Sequence, residues 1–547
     1  EFMQATLRNI DRLVREYILP KRIVLIEGDV QGAELLLSAA AQQVGLGEQK
    51  AARLRGKCRI VFDFGQELRG GLRVVAGRGT GGMPVRLRLG ESVGECLSDI
   101  GQKGSTNDHA LRDITLPLPI LSDQQFFDSG FRFACIEFSD ERTDICLQAV
   151  NAVSVFSGRE QVGSFVCSDA LINRIFSVAA HTVKLCSSDY IWDGVKRDRL
   201  VWVGDLYPEI TSFLTLFADD GCVSRSLDFV KAETPLPRWM NDFPMYSMWW
   251  IIILEEYYRM TGNAEYVLEQ RAYYEKLIRQ IDACVAESGD FDFGMNFVDW
   301  PTHGHTDEPE GVRSLCKLCA RSGIQLEKLY GIHTGCAENI LEKLSRKGAE
   351  VTEKKQIVAL KYLSGTPLSE GERRILTEGG AKGFSTFMSC FLLTAPSDLG
   401  GEDMALAALR EYYGGMLAMG ATSFWEDFDV EWLQRAVCPI DRLALPGETD
   451  IHGDFGKFCY IGYRHSLCHG WSAGVIPFLI KRILGVTVEE AGYKKVRIAP
   501  RLGGLEYAKA EIPTPYGILR VDCRRENGKT VVKAEAPAGV EVQIAEN

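Results

Sequence analysis

The period of the hydrophobic pattern changes twice along this chain. From residue 59 to about 156, apolar and polar residues alternate in short segments broken by glycines, as in 131–138. Alternation with a period of two is typical of strands with one buried face, so this part predicts an antiparallel β-sandwich. From 168 to about 484 the period is helical, and short alternating segments return after 492. We therefore expect a helical domain between two β-domains.

The central region carries apolar residues at helical spacing in roughly ten to twelve successive segments. The first begins behind Ser168, a good N-cap residue. The other predicted helices cover 206–218, 245–260, 264–287, 312–331, 337–346, 352–364, 383–393, 403–419 and 466–483. No repeat of fixed length runs through them, which argues against a solenoid. The fold class that we predict is multidomain α+β, with a central (α/α)6 barrel flanked by N-terminal and C-terminal antiparallel β-sandwich domains.

The predicted domain boundaries follow from these changes of period. The N-terminal β-sandwich covers 3–157, the barrel 158–486 and the C-terminal β-sandwich 487–547. In the last domain, Asn527-Gly528 between two alternating segments is a strong hairpin signal. A further helix is expected at 34–43, within the N-terminal domain.

The charge balance limits the partners that the protein can have. The formal net charge is −12 and the isoelectric point is near 5.4. Nucleic acids and anionic membranes require a basic face, so neither is expected as a partner, and a neutral polar ligand fits better. The longest strongly apolar segment, 245–254, is shorter than the roughly 18 residues needed to span a bilayer.

The cysteines and the N-terminus bear on the cellular compartment. Sixteen cysteines are scattered singly, which is typical of reduced core thiols rather than of a disulfide framework. The sequence does not open with a basic segment followed by an apolar core, and Glu1-Phe2 ahead of Met3 resembles a cloning remnant. Both observations favour a cytoplasmic protein. The oligomeric state stays open, with a homodimer as one option.

The densest chemistry lies in residues 193–209, which read D-G-V-K-R-D-R-L-V-W-V-G-D-L-Y-P-E. Four carboxylates and three cationic side chains share this segment with a tryptophan. Two glycines break the helical pattern, and Pro208 suits only a first helical turn. We predict a shaped loop that ends at Gly204, followed by a helix that starts near Asp205, where a negative charge is favoured.

This loop resembles the signature loop of the α-L-rhamnosidases of glycoside hydrolase family 78, which reads roughly D-C-P-x-R-x-E-R-x-G-W-x-G-D. The residues that match the pattern are Asp193, Arg197, Arg199, Trp202, Gly204 and Asp205. Gly194-Val195 replaces the Cys-Pro pair, and Asp198 stands where the family has its glutamate proton donor. The segments D-F-G-Q-E-L-R-G (63–70), L-G-E-S (89–92) and T-N-D (106–108) are similar to the β-domain that precedes the barrel in this family. The resemblance therefore extends from about residue 60 to the end of the chain.

Three later segments resemble the same family. G-A-T-S-F-W-E-D at 420–427 is similar to the family's G-A-T-T-x-W-E, and Glu426 falls on the position of the general base. S-L-C-H-G-W at 466–471 is similar to S-x-N-H-Y, with Cys468 in place of the asparagine. F-V-D-W-P at 297–301 is similar to a segment that lines the sugar pocket.

Glycoside hydrolysis needs one protonated carboxyl group and one ionised carboxylate. The resemblance implies an inverting exo-α-L-rhamnosidase that releases terminal α-L-rhamnose from glycosides or oligosaccharides, with Asp198 as general acid and Glu426 as general base. It assigns Asp193 and Asp205 to the catalytic group. The implied substrate-binding residues are Arg197, Trp202, Trp249, Trp250, Asp299, Trp300, Trp425 and His469. This chemistry requires neither an organic cofactor nor a metal ion.

Each of these residues also has a purely structural interpretation. Asp193 and Arg197 can form a structural ion pair, and Asp205 can be a helix N-cap. Glu426 can be a surface acid and His469 a buried histidine with satisfied hydrogen bonds. What favours catalysis is the conjunction of four segments in the order and approximate spacing of the family.

Alternatives also remain for the whole protein. A glycoside hydrolase of the same fold that acts on a different sugar is the nearest, followed by a phosphorolytic enzyme and a non-catalytic sugar-binding relative. Two other motifs match the letters of known binding patterns but not the structural context that those patterns require. The G-x-G-x-x-G at 77–82 precedes a strand and predicts a hairpin turn, not a dinucleotide site. Cys316-x-x-Cys319 lies in a helical pattern with no second pair, so a zinc site is not expected.

Overall fold

A computed structural model describes residues 13–38, 43–47 and 50–545 of the chain. The N-terminal part is a seven-stranded sheet in which all pairs are antiparallel, with β3 hydrogen-bonded to β2, β6 and β7 and with β4 between β6 and β5. Its strands are β1 (Leu13–Ile18), β2 (Arg22–Gln31), β3 (Ala52–Gly79), β4 (Met83–Gly90), β5 (Asp113–Leu118), β6 (Ser122–Phe138) and β7 (Asp144–Ser157). The short helix α1 (Val93–Leu97) follows β4.

The predicted N-terminal sandwich is instead one continuous sheet. β3 is 28 residues long, and its pairing with β6 shifts register between Asp63 and Leu68 and again between Gly70 and Leu72. Gly70 has a φ of 138°, which suits glycine far better than other residues. Such irregularities bend a strand, so the two halves of β3 take part in different regions of one curved sheet.

The central part is helical from α2 to α14. Its helices are α2 (Ala170–Cys186), α3 (Leu206–Leu216), α4 (Cys222–Glu233), α5 (Pro244–Thr261), α6 (Ala264–Glu269), α7 (Arg271–Ala283), α8 (Glu308–Tyr330), α9 (Cys336–Arg346), α10 (Lys355–Leu363), α11 (Glu370–Thr377), α12 (Ser389–Asp398), α13 (Glu402–Ala418) and α14 (Val475–Phe478). Local chemistry fixes several ends. Asp169 caps α2 through the backbone N–H groups of Leu171 and Ile172, and α5 begins with Pro244 and ends at Gly262 with a φ of 68°.

Strands return after the helical part and form two sheets. The first contains β11 (Val486–Glu490), β12 (Lys495–Ile498) and β16 (Glu541–Ile544). The second contains β8 (Ser164–Cys167), β13 (Tyr507–Thr514), β14 (Gly517–Glu526) and β15 (Lys529–Glu535). β8 therefore precedes the helices in sequence but pairs with β13 of the C-terminal sheet. A two-residue pair, β9 (Val437–Cys438) and β10 (Thr449–Asp450), lies within the helical part.

Most of the predicted elements are present. The alternating segments predicted as strands lie in β3, β4, β6, β12, β14 and β15, and Asn527-Gly528 forms the predicted turn between β14 and β15, with φ angles of 50° and 79°. In place of the expected helix at 34–43, the structure has a short 3-10 helix at Ala33–Leu37. Residues 39–42 of the expected helix lie outside the described residues. Asp169, not Ser168, caps α2.

The predicted helix at 466–483 is wrong in its first part. Helical turns begin only at Gly470, continue through α14 and end in a π-turn at Leu479–Ile483. The backbone before Gly470 forms other hydrogen bonds: Ser466 C=O accepts from Glu426 N–H, and Leu467 N–H donates to the Glu91 carboxylate at 2.6 Å. These partners compete with helical hydrogen bonds and keep the segment extended.

The N-terminal sheet holds the loops of the helical part through buried ion pairs. Asp63 binds Arg132 with distances of 2.8 and 2.9 Å, and Arg132 donates to the carbonyl of Gly420 at 3.0 Å. Lys196 is inserted between Glu91 and Glu95, at 2.9 and 3.2 Å. The packing of the two domains therefore brings the L-G-E-S segment against the 193–204 loop, and Arg132 of the sheet against the start of the G-A-T-S-F-W-E segment.

The Lys196 ion-pair network predicts a large loss of stability in a Lys196→Met variant. The Lys196 ammonium also donates to the carbonyls of Tyr463 and His465, so its removal leaves buried carboxylates without their cation. Breaking a buried pair in this way costs about 3–5 kcal/mol. Urea unfolding measures the change. Lys57→Met is the matched control, because Lys57 and its partner Glu141 are 63% and 75% exposed and such pairs contribute at most about 1 kcal/mol. Equal midpoints for the two variants would refute a structural role for the network.

Candidate active site

Asp193 organises the loop that precedes α3. Its side chain is buried and accepts hydrogen bonds from the backbone N–H groups of Asp198 at 2.9 Å and Leu200 at 2.8 Å. Its own carbonyl accepts from Gly470 N–H at 2.7 Å. The 193–204 segment is a loop, as predicted, and α3 starts at Leu206. Asp193 thus fixes both the shape of the loop and its position against the 466–471 segment.

Arg197 connects the two carboxyl groups that the sequence singles out. Its Nη1 donates to Asp198 Oδ1 at 3.0 Å, and its Nη2 donates to both oxygens of Glu426 at 2.9 and 2.7 Å. Its Nε donates to the carbonyl of Arg464 at 2.6 Å. The guanidinium is buried. It therefore lies between Asp198 and Glu426 and binds both carboxyl groups.

Asp198 also contacts two aromatic side chains. Trp202 Nε1 donates to Asp198 Oδ2 at 3.2 Å, and His109 Nε2 lies 3.2 Å from Asp198 Oδ1. The Asp198 side chain is 18% exposed, whereas that of Glu426 is 6% exposed. Asp198 is thus the more accessible member of the pair. His109 comes from the loop between α1 and β5 of the N-terminal domain.

Glu426 has further hydrogen-bond partners besides Arg197. Ser466 N–H donates to Glu426 Oε2 at 3.1 Å, and Trp471 Nε1 donates to the Glu426 carbonyl at 3.0 Å. His469 Nε2 lies 3.9 Å from Glu426 Oε1 and 3.7 Å from Asp193 Oδ2. The 420–427 and 466–471 segments and the 193–204 loop therefore converge on one carboxylate.

Burial dominates the electrostatics of this cluster. It raises the pKa of Asp193 to about 7, with the negative charge of Asp198 adding to the effect. Burial also raises the pKa of Glu426, and the positive charge of Arg197 opposes that rise. The pKa of His469 falls well below its ordinary value because burial and then Arg197 disfavour the imidazolium. Protons and charges are thus unevenly divided among the carboxyl groups, as acid–base chemistry requires.

Asp205 and Asp299 are both buried and both have protein partners. The Asp205 side chain caps no helix N–H; it accepts from the hydroxyl of Tyr246 at 2.8 Å, and burial followed by the charge of Asp193 raises its pKa well above the usual range. Asp299 caps a 3-10 turn through Thr302 N–H at 3.2 Å and accepts from the Ser385 hydroxyl. Both carboxyl groups line the same pocket.

That pocket is lined by Glu426 together with aromatic and other polar residues. Its aromatic residues are Tyr246, Phe297, Trp300, Phe387, Tyr460 and Trp471. Its polar residues are Asp205, Asp299, Ser385, Thr386, Glu426 and Asp427. Aromatic faces pack against the C–H surfaces of a sugar ring while carboxylates bind its hydroxyls, so this lining suits a monosaccharide unit.

Three of the predicted tryptophan walls lie elsewhere. Trp250 is fully buried and donates from Nε1 to the Leu227 carbonyl, while Trp425 is buried against Phe428. Trp249 packs on Tyr207 and lines a separate pocket between helices. Trp300 lines the pocket, Trp202 contacts Asp198, and His469 lies 3.9 Å from Glu426. Helical spacing in α5 and proximity to Glu426 in sequence do not reveal whether an aromatic side chain faces a cavity or the protein core.

Several residues of this site were not predicted, although some of them lie in or next to segments that resemble the family. Asp427 follows Glu426, Trp471 closes the quoted 466–471 segment, and His109 follows the T-N-D segment. Tyr246, Phe387 and Tyr460 lie in segments that carry no comparable motif. Only packing reveals that they share a pocket.

Asp427 predicts a specific pH dependence of stability. Burial, followed by the charge of Glu426, raises its pKa from 3.8 to about 7. The folded protein therefore retains a proton that the unfolded chain releases, so the free energy of unfolding falls as pH rises through this window. We expect Asp427→Asn to reduce that fall, as measured by urea unfolding at both ends of the window. Asp242→Asn, at a side chain that is 82% exposed, serves as control, and identical slopes for wild type and Asp427→Asn would contradict the assignment.

This pocket lies next to a wider cleft of about 650 Å³. Pro301 and Asp427 line both spaces. The outer part of the cleft carries Trp432, Phe458 and four lysines: Lys354, Lys355, Lys382 and Lys457. Trp300 stacks on Phe458 with ring centroids 5.8 Å apart, so an aromatic pair marks the passage between the two spaces.

Comparison with known proteins bears on the whole arrangement. The family model described as the bacterial α-L-rhamnosidase six-hairpin glycosidase domain matches residues 160–317, and that of the bacterial α-L-rhamnosidase C-terminal domain matches 485–545. No curated protein sequence matches the chain significantly. Among the described residues, no helix is both long enough and apolar enough to cross a membrane.

Solved structures share the fold at low sequence identity. The family 78 rhamnosidase of Bacillus sp. GL1 aligns with a TM-score of 0.73 and 23% identity over 94% of this chain and 55% of its own. The Streptomyces avermitilis α-L-rhamnosidase, solved with L-rhamnose, aligns with a TM-score of 0.67 and 14% identity over 98% of this chain and 50% of its own. The Klebsiella oxytoca rhamnosidase, solved with rhamnose bound, aligns with a TM-score of 0.67 and 18% identity over 87% of this chain and 96% of its own.

This chain spans about half the length of the first two of these relatives. Two separate models of bacterial α-L-rhamnosidase domains match the chain at 160–317 and 485–545. Across nearly all of its length the chain has the fold of the solved family 78 rhamnosidase of Bacillus sp. GL1.

Proposed function

We propose that the protein is an inverting exo-α-L-rhamnosidase that removes terminal α-L-rhamnose from a glycoside or oligosaccharide. The observation that carries the proposal is the single guanidinium of Arg197 between Asp198 and Glu426, beside a pocket lined by aromatic rings and carboxyl groups. The six-hairpin description of the matched domain supports an (α/α)6 arrangement of the central helices. Two related structures, from Streptomyces avermitilis and Klebsiella oxytoca, contain bound rhamnose, which supports the choice of sugar.

In the proposed mechanism the sugar occupies the inner pocket and the leaving group lies toward the outer cleft. Asp198, the more exposed carboxyl, protonates the glycosidic oxygen, so that the bond from this oxygen to the anomeric carbon breaks and the aglycone leaves as an alcohol. Glu426 takes a proton from a water molecule as that water attacks the anomeric carbon from the opposite face. The product is then β-L-rhamnose. Neither step requires a cofactor.

The other polar residues bind or hold. The positive charge of Arg197 favours the ionised form of Glu426 against the effect of burial, and its two hydrogen bonds fix the orientation of the carboxylate. Asp205 and Asp299 face the pocket with buried carboxyl groups that can bind sugar hydroxyls, and Asp193 holds the loop that bears Asp198. Neutral His469 lies between Asp193 and Glu426 and separates their charges.

The test is to incubate the protein with an aryl α-L-rhamnoside and follow the anomeric proton of the released sugar by NMR. Initial release of β-L-rhamnose supports both the sugar and the inverting mechanism. Initial release of α-L-rhamnose refutes inversion. Hydrolysis of a different aryl glycoside instead favours the alternative of a related glycosidase, and binding of rhamnose without turnover favours a sugar-binding relative.

A further inference from the structure

The contacts of Asp198 create a difficulty for a proton donor. Arg197 Nη1 and Trp202 Nε1 both donate hydrogen bonds to its carboxylate, and the guanidinium is a full positive charge. Hydrogen bonds and opposite charge favour the ionised form of a carboxyl group. A general acid must nevertheless carry a proton when the glycosidic bond breaks. The site therefore needs a source of that proton close to Asp198.

His109 is placed to be that source. Its Nε2 lies 3.2 Å from Asp198 Oδ1, within reach of direct proton transfer, while 31% of its side chain stays exposed. An imidazole ring can act as a proton shuttle, and the exposed part of this ring lets it exchange protons with solvent. Asp108 also faces His109, with its Oδ2 3.7 Å from Nε2. Arg464 binds the Asp108 carboxylate, and Arg197 binds that of Asp198.

The loop that carries His109 is fixed against the helical part. Asp108 Oδ2 binds Arg464 Nη2 at 3.0 Å, and the Arg464 carbonyl accepts from Arg197 Nε. Gly104 on the same loop approaches the chain so closely that an added Cβ would lie 2.6 Å from the Ile461 carbonyl oxygen. The N-terminal domain thus delivers an imidazole to a defined position in the site of the helical domain.

We propose that His109 is a positioning residue that supplies the catalytic proton through Asp198. In the resting site the proton resides on His109 Nε2 and Asp198 is a carboxylate. As substrate binds, the proton moves from Nε2 to Asp198 Oδ1 and from there to the glycosidic oxygen, and the neutral imidazole later takes a new proton from solvent. Glu426 releases to solvent the proton that it took from water, so the cycle balances. The proposal rests on the proposed glycosidase function.

The test compares two rhamnosides in His109→Gln. Glutamine can still donate a hydrogen bond to Asp198 but cannot carry the proton. We expect kcat for an alkyl α-L-rhamnoside, whose leaving group must be protonated, to fall about 10-fold or more, and kcat for 2,4-dinitrophenyl α-L-rhamnoside to change little. The alkaline limb of the kcat profile for the alkyl substrate should move to lower pH. In His109→Ala, added imidazole should restore part of the lost rate.

Controls separate this proposal from the function beneath it. His333→Gln replaces a histidine that is 74% exposed and should leave both rates and the pH profile unchanged. Wild-type protein that cleaves neither rhamnoside refutes the glycosidase function. Suppose instead that the wild type is active and that His109→Gln has wild-type rates on both substrates, or rates reduced by the same factor on both. This result overturns proton supply by His109 and leaves the glycosidase function intact.

Discussion

A Glu426→Gln variant is expected to lose about 10²- to 10⁴-fold in kcat on every rhamnoside that the wild type cleaves. The glutamine side chain cannot remove a proton from water, and activation of water is required whatever leaving group departs. The loss should therefore be the same for an alkyl rhamnoside and for a dinitrophenyl rhamnoside. Initial rates on both substrates measure it.

The control for Glu426→Gln is a measurement showing that the variant still folds. The amide oxygen of glutamine can still accept from Arg197 and Ser466, which hold this side chain in the wild type. Far-ultraviolet circular dichroism and the urea midpoint should show an intact fold. A folded variant with wild-type kcat would refute Glu426 as the general base and would move attention to the neighbouring carboxyl group of Asp427.

An Asp198→Asn variant is expected to show a loss that depends on the leaving group. For an alkyl rhamnoside, kcat should fall about 10²- to 10⁴-fold because the departing alkoxide is no longer protonated. For 2,4-dinitrophenyl α-L-rhamnoside the change should be small, since that leaving group is stable as an anion. Rates across a series of aryl rhamnosides measure the dependence as a slope against leaving-group pKa.

Asp198→Glu is the matched variant for this test. Glutamate restores the residue found at this place in the family signature and keeps the acid chemistry, so we expect it to retain turnover of the alkyl substrate. If Asp198→Asn lost the same factor on all leaving groups, Asp198 would act by shaping the loop rather than by donating a proton. The hydrogen bonds of Asp198 with Trp202 and Arg197 are the contacts through which it would shape the loop.

The fold was predictable where local chemistry and burial agree. The alternating segments of β4 and β12 and the Asn527-Gly528 turn needed only a period of two and a residue pair that accepts positive φ. Predictions failed where tertiary contacts compete with local preference. The 466–469 segment has helical spacing but bonds to Glu91 and Glu426 instead of forming a helix. The N-terminal strands close into one sheet because β3 bends at its glycines.

The candidate site divides in a similar way. Asp193 and Asp198 were predicted from sequence, because a carboxylate-rich loop with glycines and cations has few structural uses and resembles a family signature. Glu426 was predicted from the resemblance of the 420–427 segment to the same family. Trp249, Trp250 and Trp425 were placed in the sugar pocket by sequence, yet they pack in the protein interior. An aromatic side chain serves a core and a pocket equally well, so its type and spacing cannot distinguish the two positions.

The sequence by itself determined the order of a β-part, a helical part and a second β-part, since this order follows from periodicity. It also pointed to the acids of the candidate site, through residue type and the resemblance to a family signature. Only the tertiary structure decided that Arg197 joins Asp198 to Glu426, that Tyr246, Phe387 and Tyr460 share one pocket, and that His109 reaches Asp198 from another domain. These relations join residues that are far apart in the chain. They depend on how domains pack, and no local pattern of residues records that packing.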